Sequence, residues 1–353
     1  MADFKETMIR SLAGSSIRQV NRLSYPFVKD NGTILRFNTA EFTDNLGDYI
    51  IMRYCNEVLR DLYPTGYQFI DVSTHILPTK DQEEQIKKAR LKFVCGTNLL
   101  TSHIEEHWNW ALPDGLRRKL AYKNIILLGV GWKNYDDPCS EYSKMIYKAM
   151  LSPCFLHSVR DQYTEEMLKA AGIKNVINTG CPTMWKLTPE FCDTIPSQKA
   201  RTVITTITDY RRDAERDSRM LAILSRNYAC VRLWLQGKRD EEYLSTLTVP
   251  DNLETIPRDL KAYEQALEAG DADYVGTRLH AGIFALNHRV RSLIIAVDNR
   301  ATEMGKDTNL PVVGREAAGE ALESLIQANR HTEIRINQKN IIRFKSQFGM
   351  EKR

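Results

Sequence analysis

At 353 residues the chain is long enough for two complete cores, because domains usually run about 100–200 residues. Its formal net charge of +4, spread over 49 basic and 45 acidic residues, excludes the dense basic surface that nucleic-acid binding requires. Seven scattered cysteines without a Cys-x-x-Cys pair fit reduced, mostly buried thiols better than a disulfide framework or a zinc site.

The first residues lack the basic-then-apolar order of a signal peptide, and no apolar run reaches the ~20 residues that cross a bilayer. A cytoplasmic protein with at most peripheral contact at the inner face of a membrane is expected. Residues 1–32 mix Phe4, Met8, Ile9, Leu12 and Ile17 with Lys5, Arg10 and Arg18, which predicts an amphipathic helix packed as an N-terminal flap.

From Thr33 onward, short apolar runs alternate with amphipathic stretches. Strands are predicted at Thr33–Phe37, Phe69–Val72, Leu91–Val94, Asn124–Val130, Phe155–Val159 and Val176–Asn178, with a helix from Gly47 to Leu62. Leu187–Arg201 has two prolines and no period, so the domain boundary is placed at residues 198/199. The rhythm then repeats. Strands at Thr202–Ile207, Cys230–Leu235, Leu253–Ile256, Asp273–Val275 and Ser292–Val297 alternate with helices near Asp213–Arg226, Arg239–Leu247, Leu260–Ala269, Leu279–Asn287 and Ala317–Ala328. The expected fold is α/β: two Rossmann-like doubly wound domains facing a cleft, residues 33–198 and 199–330, with a C-terminal helix or tail over 331–353.

Three motifs carry chemistry. Asn45-Leu46-Gly47-Asp48 heads a helix, where Gly47 permits close approach and Asp48 can take a proton; the same residues can simply cap the helix. Ser158-Val159-Arg160-Asp161 ends a strand, with Asp161 as the N-cap and Arg160 either gripping an anion or pairing with Asp161. Asp273-Tyr274-Val275-Gly276-Thr277-Arg278-Leu279-His280 is a strand turning into a helix, and a helix start with an arginine fork and a histidine is an anion and proton-transfer site. Lys306 follows in the next strand-end loop and is expected to converge on the same spot. His103 and His107 are spaced to share one helix face, but without a third ligand they predict a polar face and no metal site.

Together these stretches resemble the successive landmarks of the polysaccharide pyruvyl transferases, in matching order from residue 33 to residue 328. Two departures are Cys95-Gly96-Thr97-Asn98, where members often carry a glycine run, and Asn287–Arg291, where they often carry a proline. The resemblance implies a GT-B-like fold and transfer of the enolpyruvyl group of phosphoenolpyruvate onto two hydroxyls of a sugar, free or lipid-linked, in a cell-envelope polysaccharide precursor. It implies a donor site of Arg278 and His280 with further contacts from Arg160 and Lys306; the chemistry of the residues adds Gly276 and Leu279 to the donor side, Asn45 and Gly47 to the acceptor side, His280 as general acid and Asp48 as base. No metal or resident cofactor is expected; phosphoenolpyruvate is a co-substrate. On the residues alone, a nucleotide-sugar glycosyltransferase or a non-catalytic sugar-binding protein of the same fold stays open.

Overall fold

Runs such as Leu91–Cys95 and Ser292–Ala296 are buried along their whole length, the pattern of parallel strands covered on both faces. The computed structural model describes residues 2–106, 109–113 and 122–348. The chain divides into two compact units, Met1–Thr43, Ile51–Pro182 and Asn337–Arg353 in the first, Asp44–Ile50 and Thr183–Ile336 in the second.

In chain order the first part contains α1 (Ala2–Ser24), β1 (Thr33–Asn38), α2 (Leu46–Leu62), β2 (Gln68–Ser73), α3 (Lys80–Lys88), β3 (Leu91–Cys95), β4 (Asn98–Leu100), β5 (Ile125–Leu128), β6 (Gly131–Trp132), α4 (Glu141–Met150), β7 (His157–Val159), α5 (Gln162–Ala170) and β8 (Val176–Asn178). The main sheet has the order β2-β1-β3-β5, all parallel, while β4 pairs with β6 and β7 with β8. The N-terminal flap is the helix α1, and it packs on α4. Gly14 makes that possible, since a Cβ there would stand 3.0 Å from the Met145 Cα. Arg18 Nη1 and Asn21 Nδ2 donate to the carbonyls of Leu151 and Ala149, at 2.9 and 2.8 Å.

The second unit continues with α6 (Pro189–Cys192), β9 (Thr202–Thr205), α7 (Ala214–Asn227), β10 (Cys230–Trp234), α8 (Asp240–Leu244), β11 (Leu253–Ile256), α9 (Leu260–Glu268), β12 (Ala272–Gly276), α10 (Leu279–Asn287), β13 (Ser292–Ala296), α11 (Asn299–Thr308), β14 (Val312–Gly314) and α12 (Arg315–Gln327). Its six strands are parallel in the order β11-β10-β9-β12-β13-β14. Counted from β9 this is 3-2-1-4-5-6, the doubly wound order, and its direction reverses between β9 and β12. Asp213, Asp259 and Asp298 start their helices as N-caps.

The division differs from the one expected at residues 198/199. Leu187–Arg201 is not a linker, because Cys192 and Ile195 are buried and the Ser197 carbonyl accepts hydrogen bonds from Arg330 N and Arg291 Nη1. The chain from Asn337 onward belongs to the first unit, where the helix Gln338–Ser346 buries Ile341 and Phe344. Residues 44–50 belong to the second: Leu46 N donates to Gln236 O, Lys238 N and Arg258 Nη2 donate to Asp44 O, and Asn45 bridges Gly237. Helix α11 and strand β14 stand where a loop was expected after Val297. Among the described residues no helix is long and apolar enough to cross a membrane.

One buried charge network fixes the second sheet. Asp273 on β12 accepts two hydrogen bonds from Arg291, at 3.2 and 2.9 Å, and one from the Tyr228 hydroxyl at 2.6 Å. Arg291 also donates to Ile326 O and Ala328 O, closing the end of α12. Asp273→Ala strands the Arg291 charge and is expected to destabilise the fold by about 3–5 kcal/mol, against about 1 kcal/mol for Tyr228→Phe. Urea unfolding of both variants checks this; equal shifts in midpoint contradict it.

His157 supplies a second test. It is wholly buried, its Nε2 bonded to Ser152 O and its Nδ1 accepting from Leu127 N, and burial pushes its pKa down to about 3. The folded state therefore binds fewer protons than the unfolded chain between the unfolded value of about 6.5 and about 3. Stability from this group is present above that window and lost as pH falls through it, by roughly 1 kcal/mol per pH unit. Denaturant midpoints from pH 7 to pH 4 are expected to fall less steeply in a folded His157→Gln variant than in the wild type.

Candidate active site

Strands β10, β9, β12 and β13 lie side by side, so the segments after their carboxyl ends gather at one edge of the second sheet. Ligands of open α/β sheets bind there, at the point where strand order reverses. Asn45, Tyr210, Gln236, Thr277, Arg278, Leu279, His280, Asp298 and Arg300 line a pocket at this edge.

The turn after β12 is set by a closed ring of hydrogen bonds. Tyr274 Oη donates to Arg278 O at 2.8 Å, so the Thr206 hydroxyl, 2.7 Å from Tyr274 Oη, donates to it and is free to accept from Arg278 N at 3.1 Å. Gly276 sits inside the ring. A Cβ there would stand 2.5 Å from Thr206 Oγ1 and 2.7 Å from Thr206 N, so the close strand approach accepts no larger residue. Helix α10 begins immediately after, and its first-turn N–H groups have no intrahelical acceptors.

Arg278 is the N-cap of α10 and almost wholly buried. Its Nε donates to Ile207 O at 2.9 Å, and its Nη2 to Asp209 Oδ1 at 2.8 Å and Asp240 Oδ1 at 2.5 Å. Gly237 makes room for it, since a Cβ would lie 2.5 Å from Nη2. Burial works against the guanidinium charge, but Asp240, Tyr210 and Asp209 outweigh it and raise the Arg278 pKa above its ordinary value. Burial also raises the Asp240 pKa, against the pull of Arg278 and of the Gly237 N–H at 2.7 Å. The fork read from the sequence as an anion grip is thus largely committed to carboxylates. Nη1 alone has no hydrogen-bond partner among the described residues.

His280 lies in the first turn of α10, buried at the pocket wall, where Leu279 also contributes. Asn45 lines the same pocket; its Oδ1 accepts from Gly47 N at 3.1 Å and from Gln236 Nε2 at 2.6 Å. It therefore both caps α2 and joins the second unit. Gly47 is needed for that approach, as a Cβ would meet Gln236 Nε2 at 2.9 Å. Asp48, one position further on α2, is buried but is not among the lining residues.

Lys306 is not brought to the pocket. Residues 299–308 are the helix α11, whose buried face carries Ala301, Met304 and Thr308, leaving Lys306 exposed with its ammonium on Glu303 at 2.7 Å. Arg300, which the sequence reading passed over, occupies the pocket instead. Its Nε sits 3.0 Å from both Asp298 oxygens, and Asp298 and Tyr210 raise its pKa despite burial. The Tyr210 ring lies between the two cations, its centroid 5.0 Å from the Arg278 Cζ and 5.6 Å from the Arg300 Cζ. The available signal was Asp298 as an N-cap two residues before an arginine.

Arg160 belongs to the first unit. It follows β7, is 1% exposed and donates through Nε to Asp161 Oδ2 at 3.2 Å, while Asp161 caps α5 by accepting from Thr164 N at 2.7 Å. The pairing with Asp161 is what the geometry shows, and it leaves Arg160 Nη2 buried with no hydrogen-bond partner. The guanidinium lies over Gly131, where a Cβ would stand 2.2 Å from Nε. His107 lies outside the described residues. A larger cavity between α7 and α12 has an apolar floor of Met220, Ile223 and Leu322, and its Arg216 and Arg315 are already paired with Asp213 and Asp217. None of the motif residues reaches it.

Two doubly wound parallel units are the architecture of the GT-B-like class of α/β proteins. The chain belongs to the polysaccharide pyruvyl transferase family, whose sequence model matches residues 45–299. No curated protein matches the sequence. Among solved structures, Methanocaldococcus jannaschii UDP-GlcNAc 2-epimerase in complex with UDP-GlcNAc and UDP is similar at 10% identity and a TM-score of 0.51, over 89% of this chain and 99% of that one. The S. aureus MnaA-UDP co-structure is similar at 12% identity and 0.48, over 90% and 96%. The first likeness shows the fold alone.

Gly276→Ala is expected to push the Thr206 contact apart and lower stability by about 1–3 kcal/mol. Thermal unfolding reads the loss, and an unchanged midpoint removes the ring from the account of the turn.

Proposed function

We propose that this protein transfers the enolpyruvyl group of phosphoenolpyruvate onto two hydroxyls of one sugar residue in a polysaccharide precursor, free or lipid-linked, forming a pyruvate ketal and releasing phosphate. One observation carries the reading: Arg278, His280 and Arg300 line a single pocket at the switch point, in a chain of the pyruvyl transferase family. The donor carries a phosphate and a carboxylate. Both guanidiniums are already paired with carboxylates, so recognition comes from directional groups, the unused Nη1 atoms and the first-turn N–H groups of α10, rather than from net charge. Arg160, whose Nη2 is buried without a hydrogen-bond partner, keeps the role of a proposed anion contact.

In the proposed chemistry His280 gives a proton to C3 of the enol, which becomes the methyl group, and positive charge develops at C2. A sugar hydroxyl attacks C2 as a base takes its proton; Asp48, buried outside the pocket lining, takes it through one intervening water. A second hydroxyl then displaces phosphate from C2, its proton leaving with the phosphate or returning to His280. Two C–O bonds form at C2, the C2–O bond to phosphate breaks, and no redox change occurs. Asn45 and Gly47 shape the acceptor side of the entrance. The alternative of a nucleotide-sugar glycosyltransferase would use the same helix start for a diphosphate.

Phosphoenolpyruvate is expected to raise the melting temperature while nucleotide sugars leave it unchanged, because only a ligand of the folded state stabilises it. A larger shift with a nucleotide sugar favours the glycosyltransferase. His280→Gln is expected to bind phosphoenolpyruvate nearly as wild type while turnover falls 10²–10⁴-fold, the range for a lost general acid. Arg300→Lys keeps the charge, loses the planar fork, and is expected to weaken donor binding. Calorimetric titration alongside phosphate release separates the roles, and a His280→Gln protein at wild-type turnover removes His280 from the chemistry.

A further inference from the structure

We infer that the second unit carries a binding site for a divalent transition-metal ion of the zinc class, built by Glu264 and Glu268 of α9 and His288 at the end of α10. One ligand atom from each of the three lies within 4.8 Å of the others. Zinc–ligand distances of about 2.0–2.2 Å put neighbouring ligands roughly 3.5 Å apart, so one rotamer change of the exposed Glu268 closes the site.

Three observations beyond proximity point to a cation. His288 Nδ1 is 2.8 Å from Phe284 O. A carbonyl only accepts, so Nδ1 carries the proton in the neutral ring, and the lone pair is on Nε2, which faces Glu264 Oε1 at 3.3 Å. A backbone carbonyl fixing the tautomer of a ring turned toward carboxylates is the outer-shell arrangement of metal-binding histidines. The ring is further held against Phe284, centroids 4.3 Å apart.

Glu264 and Glu268 are four apart on one helix face, where like charges destabilise a helix. Glu268 has no ion-pair or hydrogen-bond partner among the described residues, so the repulsion is not relieved from that side. Glu268 is also the last residue of α9, and His288 is the C-cap of α10. The negative ends of two helix dipoles therefore meet at the site, which favours a cation. One imidazole with two carboxylates suits zinc and its neighbours, whereas calcium and magnesium take oxygen ligands. The bound ion ties α9 to the far end of α10, whose first turn builds the anion pocket.

Full-length protein stripped with a chelator and titrated with zinc against a chromophoric competitor is expected to bind one ion and to melt at a higher temperature, with no shift from magnesium. Glu268→Ala and His288→Ala are each expected to weaken that binding at least tenfold; Glu268 is exposed, so its variant keeps the fold. No zinc binding by the wild type overturns the site and leaves only the His288–Glu264 contact. Zinc binding unchanged in both variants also overturns it, placing the ion elsewhere in the chain. Neither readout depends on pyruvyl transfer, so failure here is distinct from failure of that reading.

Discussion

The arrangement of the candidate site depends on the burial of the Arg278 guanidinium between Asp209 and Asp240. A buried charge is tolerated only when paired and hydrogen-bonded, and the surrounding chain is shaped to meet that demand. Gly237 is bare so that Nη2 can approach, Asp240 takes backbone N–H groups on its other oxygen, and Ile207 turns its carbonyl to Nε. Fixing Arg278 fixes the start of α10, and with it His280. An arginine so held is a positioning group first, with Nη1 the one nitrogen left without a hydrogen-bond partner among the described residues.

The same logic explains why the pocket sits where it does. Strand order reverses between β9 and β12, which leaves the loops after these strands splayed to opposite sides and a gap between them. Thr206 ties β9 to the turn after β12 through its hydroxyl, and Tyr210 and Arg300 line the pocket there. Residues 44–50 add Asn45 to this edge although they lie more than 150 residues away in sequence.

Much of this was legible in the sequence, because burial on both faces writes strands as apolar runs and caps write helix starts. Leu253–Ile256, Leu279–Asn287 and Val176–Asn178 were read with the bounds the structure gives. The pyruvyl transferase landmarks were legible too, since Gly276 through His280 are local in sequence. What was not legible is tertiary. Nothing local distinguishes Leu187–Arg201 from a linker, as its burial is decided by the distant Arg291 and Arg330. A loop over residues 299–308 would carry Lys306 to the site. The spacing of Ala301, Met304 and Thr308 makes them a helix and turns the lysine outward, while Arg300, beside its cap, turns in. The carboxylates that occupy Arg278 come from segments 38 and 69 residues away and leave no mark on its own motif.

The central claim is that this pocket protonates phosphoenolpyruvate at C3 and passes the resulting carbon centre to a sugar. Running the reaction in deuterated water with a hexoside acceptor and inspecting the product by proton and carbon NMR tests it directly. The account predicts a cyclic ketal whose methyl group carries one solvent deuterium, formed in step with released phosphate. A product whose methyl group is free of deuterium, or phosphate released with no ketal, would contradict it.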